Sequence, residues 1–259
     1  MSRDNIADIL CIGCQKGSTS WLHSVLNTLP DTWAFPDSEP VTSTNKEAHF
    51  WDWNHKRGVD WYRSLLTPPD PALRSMDFTP EYAYLADRQI AECKALNPKA
   101  RVIYILRDPL ARAVSALRMH ILWRFGKDHA EPLQLDETFY TLLRHARVMQ
   151  HGDYGRNLAA WRRHYPDMIV LNYEDFHTDR TNSVRGILGK LDLDMTGLPV
   201  AAGARLDRLM TSRVWESEKF PMDRAVLMFL QGLTWPVRQH CADALDMRFA
   251  EGGRMLGAA

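Results

Sequence analysis

The sequence predicts a single α/β domain, residues 1–259, with a central, mostly parallel sheet flanked by helices. Three observations carry that reading. Short, wholly apolar runs such as residues 102–106 (VIYIL) are of the kind buried on both faces of a parallel sheet. Helix-patterned segments alternate with them, which places helices on both sides of the sheet. No internal repeat, low-complexity tract or Gly/Ser linker divides the 259 residues.

Taken in order, residues 6–12 read as a buried strand, GCQKGS as a turn and residues 18–29 as a helix. Residues 74–78 form a weaker strand candidate and residues 82–96 a helix. After the strand at 102–106, Asp108 is suited to an N-cap and Pro109 to the first helical position, opening a helix through about residue 123. Residues 154–165 read as a helix and 168–173 (MIVLNY) as another buried strand. From about Arg205 the pattern is helical, with Pro236 as a helix start.

Composition narrows the function classes. The chain is 45% hydrophobic and 25% charged, with 14 Gly and 14 Pro, which excludes disordered, collagen-like and disulfide-scaffold classes. Its 32 basic residues equal its 32 acidic ones, and the signs are interleaved, which argues against a nucleic-acid partner. No run approaches the ~18 apolar residues of a membrane span, and Asp4 and Asp8 interrupt the apolar core a signal peptide needs, so the expectation is cytoplasmic. Cys11 and Cys14 have C-x-x-C spacing, but no second Cys/His pair completes a zinc site. They and Cys93 and Cys241 are therefore read as reduced thiols.

Ligands of open parallel sheets bind beyond the carboxyl ends of the strands, and two of those loops are suited to anions. In Gly13-Cys14-Gln15-Lys16-Gly17-Ser18-Thr19-Ser20-Trp21, helix-start amides carry partial positive charge and Gly17 permits close approach of a phosphate. Lys16 adds a full charge, and three hydroxyls add donors. A solvated lysine beside a polar helix cap accounts for the residues equally well. The loop is not a Walker A motif, because Lys16 precedes the last glycine.

The second loop is Arg107 with Ser115, in ILRDPLARAVSAL. Residues 101–124 hold five arginines against one acid. Arg107 ends a strand and points toward the same crevice, and arginine binds phosphate bidentately. The alternative is that Arg107 pairs with an acid; Arg112, four residues after Asp108, is assigned that structural role. Two phosphate sites without an evident magnesium-holding acid suit a nucleotide phosphorylated at two positions.

The chain resembles sulfotransferases that use 3′-phosphoadenosine 5′-phosphosulfate. KGSTSW is similar to their 5′-phosphosulfate loop and ILRDPLARAVSAL to their 3′-phosphate segment. Lys46-Glu47-Ala48-His49-Phe50-Trp51 resembles the Lys-Glu-x-x-Phe-Phe segment of the heparan-sulfate branch, and Thr79-Pro80-Glu81-Tyr82 its Ser/Thr-Pro-x-Tyr turn. GDYGRNLAAWRRHYP and MIVLNYEDF look like its later helix and strand, so the resemblance spans about residues 6–191. It departs at Phe78, where that branch often has lysine. Arg213 and Lys219 are weak counterparts of its basic C-terminal loop.

The resemblance implies a P-loop-like architecture and in-line sulfuryl transfer to an acceptor hydroxyl, with an amine as the alternative. It assigns Lys16 to the charge developing on the leaving oxygen, and Ser18, Thr19 and Ser20 to the 5′-phosphosulfate. Trp21 is assigned to stacking on adenine, and Arg107 and Ser115 to the 3′-phosphate. Glu47 matches the family's base, and His49 is its chemical competitor, with a reference pKa near neutrality. Lys46 either neutralises the sulfuryl oxygens or tunes Glu47. Trp51 and Trp53 suit sugar or aromatic acceptors, so a carbohydrate or small molecule is the expected partner, and no metal is expected. Two other classes compete. A P-loop kinase would need the Gly-Lys-Ser/Thr ending, which is absent; a non-catalytic nucleotide-binding protein would not need both Lys16 and Glu47.

Overall fold

The computed structural model describes residues 4–36, 45–126, 129, 131–211 and 221–250. Five parallel strands, β1 (Ile9–Cys11), β2 (Thr32–Trp33), β3 (Arg74–Asp77), β4 (Arg101–Leu106) and β5 (Ile169–Asn172), lie in the order β2-β3-β1-β4-β5. Strand order reverses at β1, so the crevice for a ligand opens past its carboxyl end, between the loops after β3 and β4.

Side-chain alternation explains how β1 and β4 are covered. Leu10, Val102, Tyr104 and Leu106 face one layer with α3 (Asp87–Leu96) and α7 (Tyr154–Arg162). Ile9, Cys11, Ile103 and Ile105 face the other, with α1 (Thr19–Leu26) and α9 (Arg180–Lys190). A third apolar cluster joins α4 (Pro109–Phe125), α5 (Glu137–His145) and α11 (Arg224–Leu245). Asp108 caps α4 by accepting from the Ala111 amide at 2.9 Å. Arg112, by contrast, is buried and donates to the Val148 carbonyl, while Arg238 lies 3.1 Å from the Asp108 carboxylate. All four cysteines are free and buried, and burial pushes the Cys11 thiol up to about 12.

Several elements differ from their sequence pattern. The first strand is shorter than residues 6–12, because the amides of Ile6 and Ala7 are taken by the Asn97 side chain, at 3.0 and 2.7 Å. The helix expected over 82–96 is a 3-10 turn, Pro80–Tyr84, followed by α3, with extended backbone at Leu85 and Ala86 between them. Pro236 lies inside α11 and does not start it. That helix opens at Arg224 under an Asp223 cap, and Val226 and Leu230 hold it in the third cluster. Among the described residues no helix is long and apolar enough to cross a membrane.

Asn97 is itself completely buried and also donates to the Cys93 carbonyl at 3.1 Å. Replacing it by alanine strands the Ala7 amide and leaves that of Ile6 only a longer bond, 3.3 Å, to the Leu96 carbonyl. Asn97→Ala is therefore expected to lower stability by about 3 kcal/mol in urea unfolding.

Candidate catalytic site

The loop after β1 is shaped by its glycines. A Cβ at Gly13 would stand 3.1 Å from the Pro80 carbonyl, and one at Gly17 only 2.8 Å from the Cys14 sulfur. Lys16 and Ser18 both take left-handed backbone, with φ of 68° and 67°, which turns the chain sharply into α1. Ser18 makes no side-chain cap to α1, so it leaves the first amides of that helix uncapped. Ser18 and Ser20 are half-buried, and Thr19 is buried.

Arg107 is brought to this loop from the end of β4. Its Nη1 donates to the Lys16 carbonyl at 2.9 Å, and its guanidinium lies 4.4 Å from the Tyr173 ring centroid. The Tyr154 hydroxyl donates to the Arg107 carbonyl at 2.8 Å and accepts from its amide at 3.3 Å. Burial first, and then Arg107, hold the Lys16 ammonium below its ordinary pKa; the same two causes act on Arg118. These like charges lie close enough to feel one another, as expected of a site built for an anion. Ser115 is buried in α4, two turns from its start.

Trp21 does not offer the expected stacking face. Its ring is buried against Phe176 at 5.2 Å, and its Nε1 donates to the Leu209 carbonyl, so α1 uses it for packing. Phe78 is likewise core, lying edge-on to the His23 ring. Arg213 and Lys219 lie outside the described residues.

Residues 46–50 form a second wall, laced to the end of β3. The Phe78 amide donates to the Lys46 carbonyl at 2.6 Å, the Ala48 amide to Asp77, the His49 amide to the Thr79 hydroxyl and the Phe50 amide to the Tyr82 hydroxyl. Asp77 is wholly buried and accepts from Thr79, Tyr62 and Tyr82 as well, and so anchors the segment. Glu47 is thereby held in place, with the Lys46 ammonium bonded to its Oε1.

His49 lies at the centre of this wall. Nε2 meets Glu47 Oε2 at 3.3 Å, Nδ1 meets Asp52 Oδ2 at 2.7 Å, and the ring stacks 3.5 Å from the exposed Trp53. Burial disfavours its charged form, but hydrogen bonds to Asp52 and Glu47 outweigh that cost and raise the imidazole to about 9. At neutral pH it is a cation with both nitrogens committed. His151 feels both His120 and Glu47, and His120 feels Lys16.

Asp52 and Glu81 were not singled out from sequence. Asp52 follows His49 by one helical turn, a spacing that would have revealed it; Glu81 arrives from a separate turn 32 residues away. Glu47, His49 and Glu81 bring one ligand-type atom each within 4.8 Å of one another. Lys46 and the His49 imidazolium supply positive charge to the cluster.

Comparison with known proteins bears on the family and the fold. The family model described as "Sulfotransferase domain" matches residues 7–218. The human bifunctional heparan sulfate N-deacetylase/N-sulfotransferase 2 is 26% identical over 201 residues, 71% of this chain and 22% of that protein. The mouse heparan sulfate glucosamine 3-O-sulfotransferase 3B1 is 27% identical over 187 residues, 71% of this chain and 45% of that one. The chain thus spans less than half the length of these curated relatives. Among solved structures, a sulfotransferase from Alicyclobacillus acidocaldarius superposes with a TM-score of 0.70 at 18% identity, covering 98% of this chain and 100% of that one, which establishes the fold.

Proposed function

The chain belongs to the sulfotransferase domain family, and we propose that it moves a sulfuryl group from 3′-phosphoadenosine 5′-phosphosulfate to a hydroxyl of a carbohydrate or small-molecule acceptor. The observation that carries this reading is the joining of Arg107 to the Lys16 loop at the uncapped start of α1, together with a segment that presents a paired carboxylate. The donor supplies the transferable group and the leaving oxygen. The amides after Gly17, with Ser18, Thr19 and Ser20, would hold its 5′ end, and Arg107 with Ser115 its 3′-phosphate.

Glu47 takes the acceptor proton in this mechanism. His49 is unsuited to that task because it is already protonated and bonded on both sides. It orients Glu47 instead. Lys16, partly buried, stabilises negative charge on the leaving oxygen as the bond to sulfur breaks, where a low local dielectric makes its charge count most. Trp53, stacked on His49 with its other face exposed, offers a flat surface to a sugar ring or an aromatic acceptor.

Transfer of labelled sulfate to three acceptors tests the reading directly: 4-nitrophenol, glucosamine, and a desulfated, N-acetylated heparan oligosaccharide. Donor recognition has its own test. Adenosine 3′,5′-bisphosphate is expected to bind ten to a hundred times more tightly than adenosine 5′-phosphate in calorimetry, roughly the worth of one or two charge-assisted hydrogen bonds at Arg107. Equal affinities would remove the 3′-phosphate role of Arg107 and Ser115.

A further inference from the structure

Glu81 is a half-buried carboxyl beside the site, and the transfer step assigns it no role. It sits in the 3-10 turn after β3, with Oε2 4.0 Å from His49 Nδ1 and Oε1 3.9 Å from His151 Nε2. Oε2 is buried and has no hydrogen-bond partner among the described residues. A carboxyl placed this way is costly to fold unless something else is gained from it. The His49 imidazole therefore faces three acids, of which two take its hydrogen bonds and the third acts across space.

Resting on the transfer reading above, we propose that Glu81 is a positioning residue of the reaction, whose negative charge raises the proton affinity of Glu47 across the shared His49 and switches the base to its stronger form.

The groups around Glu81 settle the sign. From residues 46–49 it faces Glu47 and His49, with Lys46 bonded to Glu47; from the turn that follows it faces Asp52. From α6 (Val148–Gly152) it faces His151, held neutral by burial and by Arg112, and its own turn supplies Tyr84, which contacts Arg147. Burial, opposed by His49 and reinforced by Glu47 and Asp52, raises the Glu81 carboxyl to about 7. Below that pH Glu81 is neutral, and the Lys46 and His49 cations balance Glu47 and Asp52. Above it the cluster carries one net negative charge. Like charges raise one another's proton affinity reciprocally, so Glu47 becomes a stronger base as pH rises through 7.

The test is the pH dependence of kcat between pH 6 and 8 at saturating donor, with the desulfated, N-acetylated heparan oligosaccharide, whose hydroxyls do not titrate in this range. Wild-type turnover is expected to rise about fivefold across the range. Glu81→Gln should match wild type at pH 6, fall about fivefold below it at pH 8 and keep its donor KM, whereas Glu81→Asp should restore the rise. A purely structural role would depress Glu81→Gln equally at both pH values, and that outcome, or a flat wild-type profile, overturns the proposal.

A second readout needs no acceptor. The His49 ring protons, assigned by their loss in His49→Asn, should shift with a midpoint near pH 7 in wild type and not in Glu81→Gln. Identical titrations in the two proteins also overturn it. A wild-type enzyme that transfers to none of the three acceptors counts against the transfer reading, and the ring-proton titration then decides Glu81 alone.

Discussion

Glu47→Gln is expected to lower the turnover number about a thousandfold while leaving the affinity for adenosine 3′,5′-bisphosphate unchanged. Glutamine keeps the shape of the side chain and its bond to Lys46 but cannot accept the acceptor proton. The proposed donor site, at the start of α1 and the end of β4, is built from other residues and is untouched. His49→Asn should cost about tenfold, because it removes an orienting cation and leaves the base in place. Single-turnover rates with saturating donor separate the two effects from binding. Near-normal transfer by Glu47→Gln beside an inactive His49→Asn would exchange the roles of the two residues.

For Lys16→Ala the expected loss is a few hundredfold in kcat, with a much smaller change in donor KM. The reason lies in when the charge is needed. In the proposed ground state the amides of α1 and the Arg107 guanidinium would already counter much of the donor's charge. The leaving oxygen becomes fully anionic only as transfer proceeds, and a half-buried ammonium is worth most at that moment. Lys16→Arg keeps the charge but not its compact form on this tightly turned loop, and should recover only part of the rate. Chelation with EDTA should leave wild-type turnover unchanged. A rate that collapses on chelation and returns with magnesium would favour phosphoryl over sulfuryl transfer.

The parts of this protein that its sequence determines by itself are those governed by neighbours along the chain. The strands at 102–106 and 168–173 were legible because contiguous apolar residues have few uses other than a doubly covered sheet, and they stand as β4 and β5 within a residue or two. The Asp108 and Pro109 start of α4 follows from local capping chemistry. The Lys16 loop could be recognised because its glycines answer to a turn only a few residues long.

Tertiary structure alone decided the rest. Trp21 lies one turn into α1, yet the side of that helix that meets solvent depends on how the helix docks against Phe176 and Leu209, far along the chain. Pro236 has the local marks of a helix start, but burial of Val226 and Leu230 outweighs its missing amide and carries α11 through it. The choice between Glu47 and His49 was undecidable from two positions on one extended segment. The proposed choice rests on the charge of His49, which burial disfavours and which hydrogen bonds to Asp52 and Glu47, with the Glu81 carboxylate from another turn acting across space, restore. Proton affinities are sums over everything within a few ångströms, and the fold, which sequence spacing does not reveal, determines what lies within that distance.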